Sequence, residues 1–314
     1  MGDLLVLSED DVRLALPLDE LAESLTQALV ALSQGAASGP PRVAATNTHG
    51  WFAAMPGYVP GLGLGAKLVS VYPQNPERGV VAHQALVAVF DEATGAPCAV
   101  MGGTYITAIR TAMTSAIAAR ALARPGVTSL AIVGAGAQGE AHLAALSHLL
   151  ALGEVRVTSR HRERAAELAG RHPLARAVRS AEEAVQGADV VCCCSDAREP
   201  VICDEWVAPG AHVSSVGTGA ELPAALLARG RVFVESRTAT SRPPVGAVEL
   251  QGCAPASLTE IGEVLAGRRA GREAPGEVTV FKSTGHAVED VAAAAVVVRR
   301  ARALGAGTII PSFG

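Results

Sequence analysis

The chain has 314 residues, 49 % of them hydrophobic but only 3 % aromatic, so it is long enough for two domains with cores of Ala, Val and Leu in closely packed helices and strands. No apolar run reaches the roughly 18–20 residues that a membrane span needs, and residues 1–12 carry acidic groups where a signal peptide would be basic, which predicts a cytoplasmic protein. A net charge of −4 without a basic patch argues against nucleic acid or an anionic membrane as partner.

Residues 4–7 predict a short strand, and Ser8 before Glu9, Asp10 and Asp11 is a helix start with acids in the first turn. Residues 17–34 place Leu18, Leu21, Leu25, Leu29 and Leu32 at helical spacing, as on a surface helix. From Arg42 the period becomes that of strands: PRVAATNT, WFAAMPGYV, LGAKLVSVYP and HQALVAVFD, separated by Gly, Pro and Asn turns, predict an antiparallel or mixed sheet. Residues 104–123, small throughout, suit a long helix leading into a second domain.

That domain opens with SLAIVGAGAQGEAHLAALSHL, residues 129–149, where an aliphatic run of the kind seen in a parallel strand buried on both faces meets a glycine turn and then a helix. Gly134, Gly136 and Gly139 spell G-x-G-x-x-G. The first allows the tight bend, the second lets backbone approach a pyrophosphate, and the third lets helix pack on strand. The helix offers its first N–H groups and positive dipole end to phosphates. Strand 155–158, helices 162–170 and 181–186, and strands 189–194, 212–216 and 231–235 continue the alternation, which predicts a doubly wound parallel sheet. Residues 259–266 predict a short helix and 268–276 a mobile polar loop. The tail VTVFKSTGHAVEDVAAAAVVVRRARALG combines a strand, a glycine turn and an alanine-rich helix that could run back over the first domain.

Six cysteines do not make a metal or disulfide framework. Cys192, Cys193 and Cys194 are consecutive in a strand, where side chains alternate between faces and cannot surround one ion, and Cys98, Cys203 and Cys253 have no paired spacing.

The end of the second strand selects the dinucleotide. An acidic residue there takes the ribose 2′-hydroxyl of NAD, whereas an arginine suits the 2′-phosphate of NADP. This chain has Thr158, Ser159, Arg160, His161 and Arg162 and no carboxylate, so NADP(H) is favoured, with NAD(H) possible. The other reading of these arginines is that they solvate a helix start.

Several ordered motifs then carry a resemblance: Pro41-Arg42, Gly65-Ala66-Lys67-Leu68, Ala82-His83-Gln84, Ile109-Arg110-Thr111-Ala112, the glycine turn, Glu205-Trp206-Val207 with Pro209-Gly210, and Phe281-Lys282-Ser283 through Glu289-Asp290. Over nearly its whole length the chain resembles the ornithine cyclodeaminase/mu-crystallin family. The resemblance implies an α/β protein: a mixed α+β substrate-binding and dimerisation domain, residues 1–115 with 290–314, plus a Rossmann-like NAD(P)-binding domain, residues 116–289, in a homodimer. It implies that Arg42, Lys67 and Arg110 line the pocket of a small amino or imino acid. It also implies that Thr111 and the glycine turn meet the cofactor phosphates; Ala137 and Gln138 in that turn, Ser159, Arg160 and Arg162 at the strand end, and Val216, Gly217 and Ser283 are the other candidate cofactor contacts.

The chemistry is consistent with that, since guanidinium and ammonium groups clamp a carboxylate by charge-assisted bonds. Arg42 and Arg110 read otherwise as ion-pair arginines. Lys67 lies between aliphatic residues in a strand, where a buried ammonium requires a partner or ligand anion. His83 reads either as a pocket acid or as a turn-capping histidine.

One departure stands out. Cyclodeaminases carry G-x-D-x-P-x-x-x-E-L after the strand ending in Val216-Gly217, whereas this chain has Gly217-Thr218-Gly219-Ala220-Glu221-Leu222, without the aspartate proposed as their acid/base group. Glu221 would substitute for it only if the loop folds differently, and its place at the helix start is that of a cap. The reading is therefore an NAD(P)H-dependent reductase of an imine or ketimine next to a carboxylate, or the reverse amino acid dehydrogenase. The alternatives are an ornithine or lysine cyclodeaminase with bound NAD, and a non-catalytic, mu-crystallin-like small-molecule-binding protein.

Overall fold

The computed structural model describes residues 2–195 and 197–313. The chain forms two compact units, one running to Arg110 and resuming at His286, the other spanning Thr111–Gly285.

The first unit opens with β1 (Gly2–Leu7) and α1 (Glu9–Leu14), joined by a capping box: Ser8 Oγ accepts from the Asp11 amide, and the Asp11 carboxylate accepts from the Ser8 amide at 2.9 Å. Helix α2 (Leu18–Ser33) buries Leu21, Leu25 and Leu29 along one stripe. Strands β2 (Val43–Thr46), β3 (Trp51–Val59), β4 (Gly63–Val71), β5 (His83–Phe90) and β6 (Pro97–Gly102) follow as an antiparallel meander, and β1 joins β6 in parallel, so the sheet is mixed. Strand β6 escaped the sequence reading because PCAVMG is short, bounded by Pro and Gly, and buries only Ala99 and Met101. Helix α3 (Thr104–Leu122) starts where the Glu9 carboxylate accepts the amides of Thr104 and Tyr105 at 2.8 and 3.0 Å.

The second unit runs β7 (Ser129–Val133), α4 (Ala137–Leu149), β8 (Glu154–Thr158), α5 (Arg162–Ala169), β9 (Ala175–Ala177), α6 (Ala181–Val185), β10 (Val190–Cys193), β11 (His212–Val216), α7 (Ala224–Arg229), β12 (Arg231–Val234), β13 (Thr259–Glu260), α8 (Ile261–Leu265) and β14 (Thr279–Ser283). Its eight strands lie in the order β13-β12-β14-β11-β10-β7-β8-β9, all parallel. Strand β7 has β8 on one side and β10 on the other, so chain direction reverses there and a crevice opens at the carboxyl ends of those strands.

Two local expectations change. Residues 259–266 begin as strand, because Thr259 and Glu260 pair with Phe233 and Val234, and the helix starts only at Ile261. The segment 268–276 is pinned through Arg272, whose guanidinium donates to the carbonyls of Leu122, Ala211 and Glu277 and to Thr279 Oγ1. The cysteines are free thiols, and Cys192, Cys193 and Cys194 are buried.

The chain returns to the first unit as α9 (Ala287–Leu304), which packs on β3, β4, β5 and α2. Gly305 at φ +66° ends the helix, and β15 (Thr308–Phe313) pairs antiparallel with β1 to complete a seven-stranded sheet. No described helix is long and apolar enough to cross a membrane.

Candidate active site

The glycine turn is built as the spacing requires. Gly134, at the end of β7, has φ +121°, and a Cβ there would stand 2.6 Å from the Cys194 carbonyl oxygen. At Gly139 a Cβ would stand 2.1 Å from the Gly134 carbonyl oxygen, so helix and turn touch backbone to backbone. Gly136 differs: a Cβ there would meet no described atom within 4 Å. It caps α4, so the first-turn amides of Ala137, Gln138 and Gly139 lack intrahelical acceptors. The side-chain oxygen of Gln138 is buried without a hydrogen-bond partner among the described residues.

A cavity of about 940 Å³ opens here, walled by Gly134 and Gly136, by Thr158, Ser159 and Arg160, and by Ser195 with residues 197–201. A nucleotide with its phosphates fits these features: a helix N-terminus, open space over Gly136 and an unanswered polar atom. Arg164 and Arg179 also line the cavity, whereas Arg162, exposed at the start of α5, does not. Val216, Gly217 and Ser283 lie together at the carboxyl ends of neighbouring β11 and β14, where the Gly217 amide donates to the Ser283 carbonyl at 2.9 Å. The Ser283 hydroxyl donates to Glu235, which also accepts the Thr284 and Gly285 amides. Thr111 is buried on α3, one turn before Ser115, whose hydroxyl bonds His142 of α4.

The first unit holds the second group of predicted residues. Met55, Lys67, Val87 and Met101 form one cross-strand row, so Lys67 shares the inner face with apolar neighbours. It is 2 % exposed, and its ammonium sits 3.0 Å from Asp290 Oδ1 in the first turn of α9. Arg110 Nε lies 3.0 Å from the same oxygen, and its terminal nitrogen lies 2.5 Å from Glu289 Oε2. One carboxylate oxygen therefore holds both cations. The other Asp290 oxygen is buried without a hydrogen-bond partner among the described residues.

Burial, and after it the Arg110 guanidinium, pushes the Lys67 ammonium down to about 8 against the pull of Asp290. Arg42 precedes β2, whose register on β3 carries it toward Met55, and its charge reaches both Lys67 and His286. His286, at the N-cap of α9, accepts from the Val288 amide and lies on Gly39, where a Cβ would come within 2.3 Å of the ring. Burial lowers it to about 4, so this ring is neutral near pH 7.

Arg42, Lys67 and Arg110 are thus gathered in one place. His83 is not: it faces Val71 on the inner side of the sheet but lies four residues along the strand from Lys67, roughly 13 Å away, and is exposed. The sequence reading missed Glu289 and Asp290 as partners, because an acidic pair opening a helix looks like ordinary dipole compensation. The demand of a buried Lys67 for an anion was the available signal. Glu221 does not cap α7, whose N-cap is Pro223; its carboxylate accepts instead from Ser195 and Ser215.

Comparison with known proteins agrees with this architecture. The ketimine reductase mu-crystallin of Mus musculus is 39 % identical over 79 % of this chain and 80 % of its own length. The alanine dehydrogenase of Archaeoglobus fulgidus is 32 % identical over 99 % of both chains. The solved structure of Thermococcus litoralis Δ1-pyrroline-2-carboxylate reductase, in complex with NADH and L-proline, superposes with a TM-score of 0.91 at 30 % identity, covering 98 % of this chain and 100 % of that one. The model of the ornithine cyclodeaminase/mu-crystallin family matches residues 3–305, and the chain belongs to that family.

Proposed function

We propose that the protein is an NAD(P)H-dependent reductase of a C=N bond next to a carboxylate, yielding an amino acid, and that the same site can run in reverse as an amino acid dehydrogenase. The observation that carries this reading is the pair of buried cations, Lys67 and Arg110, held on one oxygen of Asp290 with Arg42 nearby. Cations fixed in advance bind a carboxylate without reorganising when it arrives. Arg42 and Arg110 orient the substrate through charge-assisted bonds, and Lys67 steadies its carboxylate or the developing amine. With an ammonium lowered to about 8, Lys67 stays charged at neutral pH, and water or His83 is the proposed proton source at nitrogen.

In the second unit, the amides opening α4, with Ser159 and Arg160, would hold the dinucleotide, and Thr111, Val216, Gly217 and Ser283 complete the proposed contacts. When bound, the dinucleotide supplies a hydride from its nicotinamide ring. NADP(H) is the proposed preference, supported by Arg160, Arg164 and Arg179 lining the cavity and by the absence of a carboxylate at the end of β8. The first unit is also proposed to form the homodimer, since Val43, Phe52, Leu64 and Leu86 leave an apolar outer face on β2 to β5.

The test is a panel of cyclic imino acids, and of 2-oxo acids with amines, mixed with the protein and NADPH or NADH. Loss of reduced-nicotinamide absorbance with imines is expected. No loss, together with ammonia release from ornithine, would replace this reading with the cyclodeaminase one.

A further inference from the structure

Among the buried charges of the second unit that the reductase reading leaves unused, three stand together: Glu221 and Lys282, both 0 % exposed, and Glu249. Lys282, on β14, pairs with Glu249 at 2.5 Å and donates to Ser215 Oγ at 2.9 Å. Ser215, on neighbouring β11, donates in turn to one oxygen of Glu221 at 2.9 Å. The other oxygen of Glu221 accepts both the amide and the hydroxyl of Ser195, each at 2.6 Å. Glu249 accepts the Leu222 amide at 2.8 Å. A continuous run of hydrogen bonds thus reaches from the middle of the sheet to Ser195, which lines the cavity.

Backbone bonds reinforce the same connection. The Val201 amide donates to the Glu221 carbonyl at 2.9 Å, and the Ala220 amide donates to the Ala197 carbonyl at 3.1 Å. Ser195, Ala197 and Val201, on one wall of the cavity, are therefore each tied to the shortened segment 217–222. The opposite wall depends on it too, because a Cβ at Gly134 would meet the Cys194 carbonyl at 2.6 Å and the Ser195 amide at 3.1 Å. A fully buried carboxylate is costly to desolvate and is weak evidence for stability; what it adds over an apolar side chain is direction.

We propose that Glu221 is a positioning residue for the dinucleotide: through Ser195 it fixes the width of the slot between Ser195 and the glycine turn. This rests on the assignment of the cavity to the dinucleotide. Glu221 touches neither cofactor nor substrate, and its effect is on affinity for any dinucleotide, whether or not it carries the 2′-phosphate.

Equilibrium titration of the full-length protein with NADH and with NADPH, read by nicotinamide fluorescence beside thermal unfolding without dinucleotide, tests it. Glu221→Ala should raise Kd for both dinucleotides by about tenfold, while kcat at saturating dinucleotide stays within about threefold. Glu221→Gln, which keeps the volume and one acceptor oxygen for Ser195, should restore most of the affinity. A folded Glu221→Ala with parent Kd values, or one that changes kcat alone, overturns the proposal. Should the alanine variant not fold, Ser215→Ala cuts the same run outside the cavity lining: a rise in both Kd values of about threefold supports the strut, and parent values overturn it. A parent protein that binds neither dinucleotide refutes the cavity assignment itself, whereas one that binds both with variants to match refutes only the role of Glu221.

Discussion

The cavity at the glycine turn and the cluster around Asp290 both meet anions in the proposed chemistry, yet they are built by opposite means. At the turn the donors are uncharged backbone amides, no described atom stands within 4 Å of a Cβ at Gly136, and no described residue answers Gln138 Oε1. At the cluster the donors are full charges taken out of water, and the chain's own carboxylates already answer them. A phosphate entering the first finds unused donors, whereas a carboxylate entering the second must share cations with Glu289 and Asp290. Binding and folding are therefore separable at the turn and coupled at the cluster, since a buried charge that loses its partner costs several kcal/mol.

The widest gap between the two regions should appear in stability. Asp290→Ala leaves Lys67 without its carboxylate and Arg110 with one fewer, so chemical denaturation should show a loss of about 3–5 kcal/mol. Gly136→Ala places a methyl where no described atom stands within 4 Å and should leave stability within about 1 kcal/mol while weakening dinucleotide binding. Similar stability losses for the two would end the contrast.

Next in size is the effect on turnover. Lys67→Met keeps the apolar stem, and Asp290 retains Arg110, so the fold and dinucleotide binding should survive while kcat/KM for imine falls by roughly 100-fold or more. Parent turnover would make Lys67 a purely structural cation. Its pH dependence has a definite sign. A lowered cation loses its proton earlier as pH rises, so kcat/KM should hold below about 8 and fall as pH climbs through that value. In Lys67→Met this alkaline limb should vanish.

The same division governs how much was legible in the sequence. The turn from Gly134 to Gly139 and the strand end at Arg160 are contiguous stretches whose geometry is local, so their arrangement followed from spacing and residue type. The partnership of Lys67 with Asp290 spans 223 positions and depends on α9 packing over β4, which no local pattern encodes; only the need for an anion was visible. The missed and misread elements have equally physical causes. Strand β15 contains a proline and borders the sheet, where a missing N–H is tolerated, so TIIPSF carries little strand signal. Arg272 looked like part of a free polar loop because its acceptors are backbone carbonyls far along the chain. Glu221 looked like a helix cap because only two residues separate it from α7, and its true partners come from β11 and from just past the end of β10.

The smallest predicted effect bears on the open site alone and concerns two arginines that the sequence treats alike. Arg160 lines the cavity beside Ser159, while Arg162, two residues on, is exposed at the start of α5 and outside the lining. If the guanidinium of Arg160 holds a 2′-phosphate, Arg160→Ala should weaken NADPH binding by about 1.5–3 kcal/mol and leave NADH nearly unchanged. Because Arg160 is exposed, the loss should shrink as salt is added, which a contact buried by the adenosine would not show. Arg162→Ala should change neither Kd by more than about twofold, the size expected of a solvated charge near a helix start. Calorimetric titration of both variants with both dinucleotides decides between the outcomes. Equal losses for NADH and NADPH at Arg160 would mean that it contacts the common part of the dinucleotide. A loss at Arg162 matching that at Arg160 would mean that charge near this end of the cavity acts at a distance, and the preference for NADP(H) would then be a property of the whole arginine group rather than of one residue.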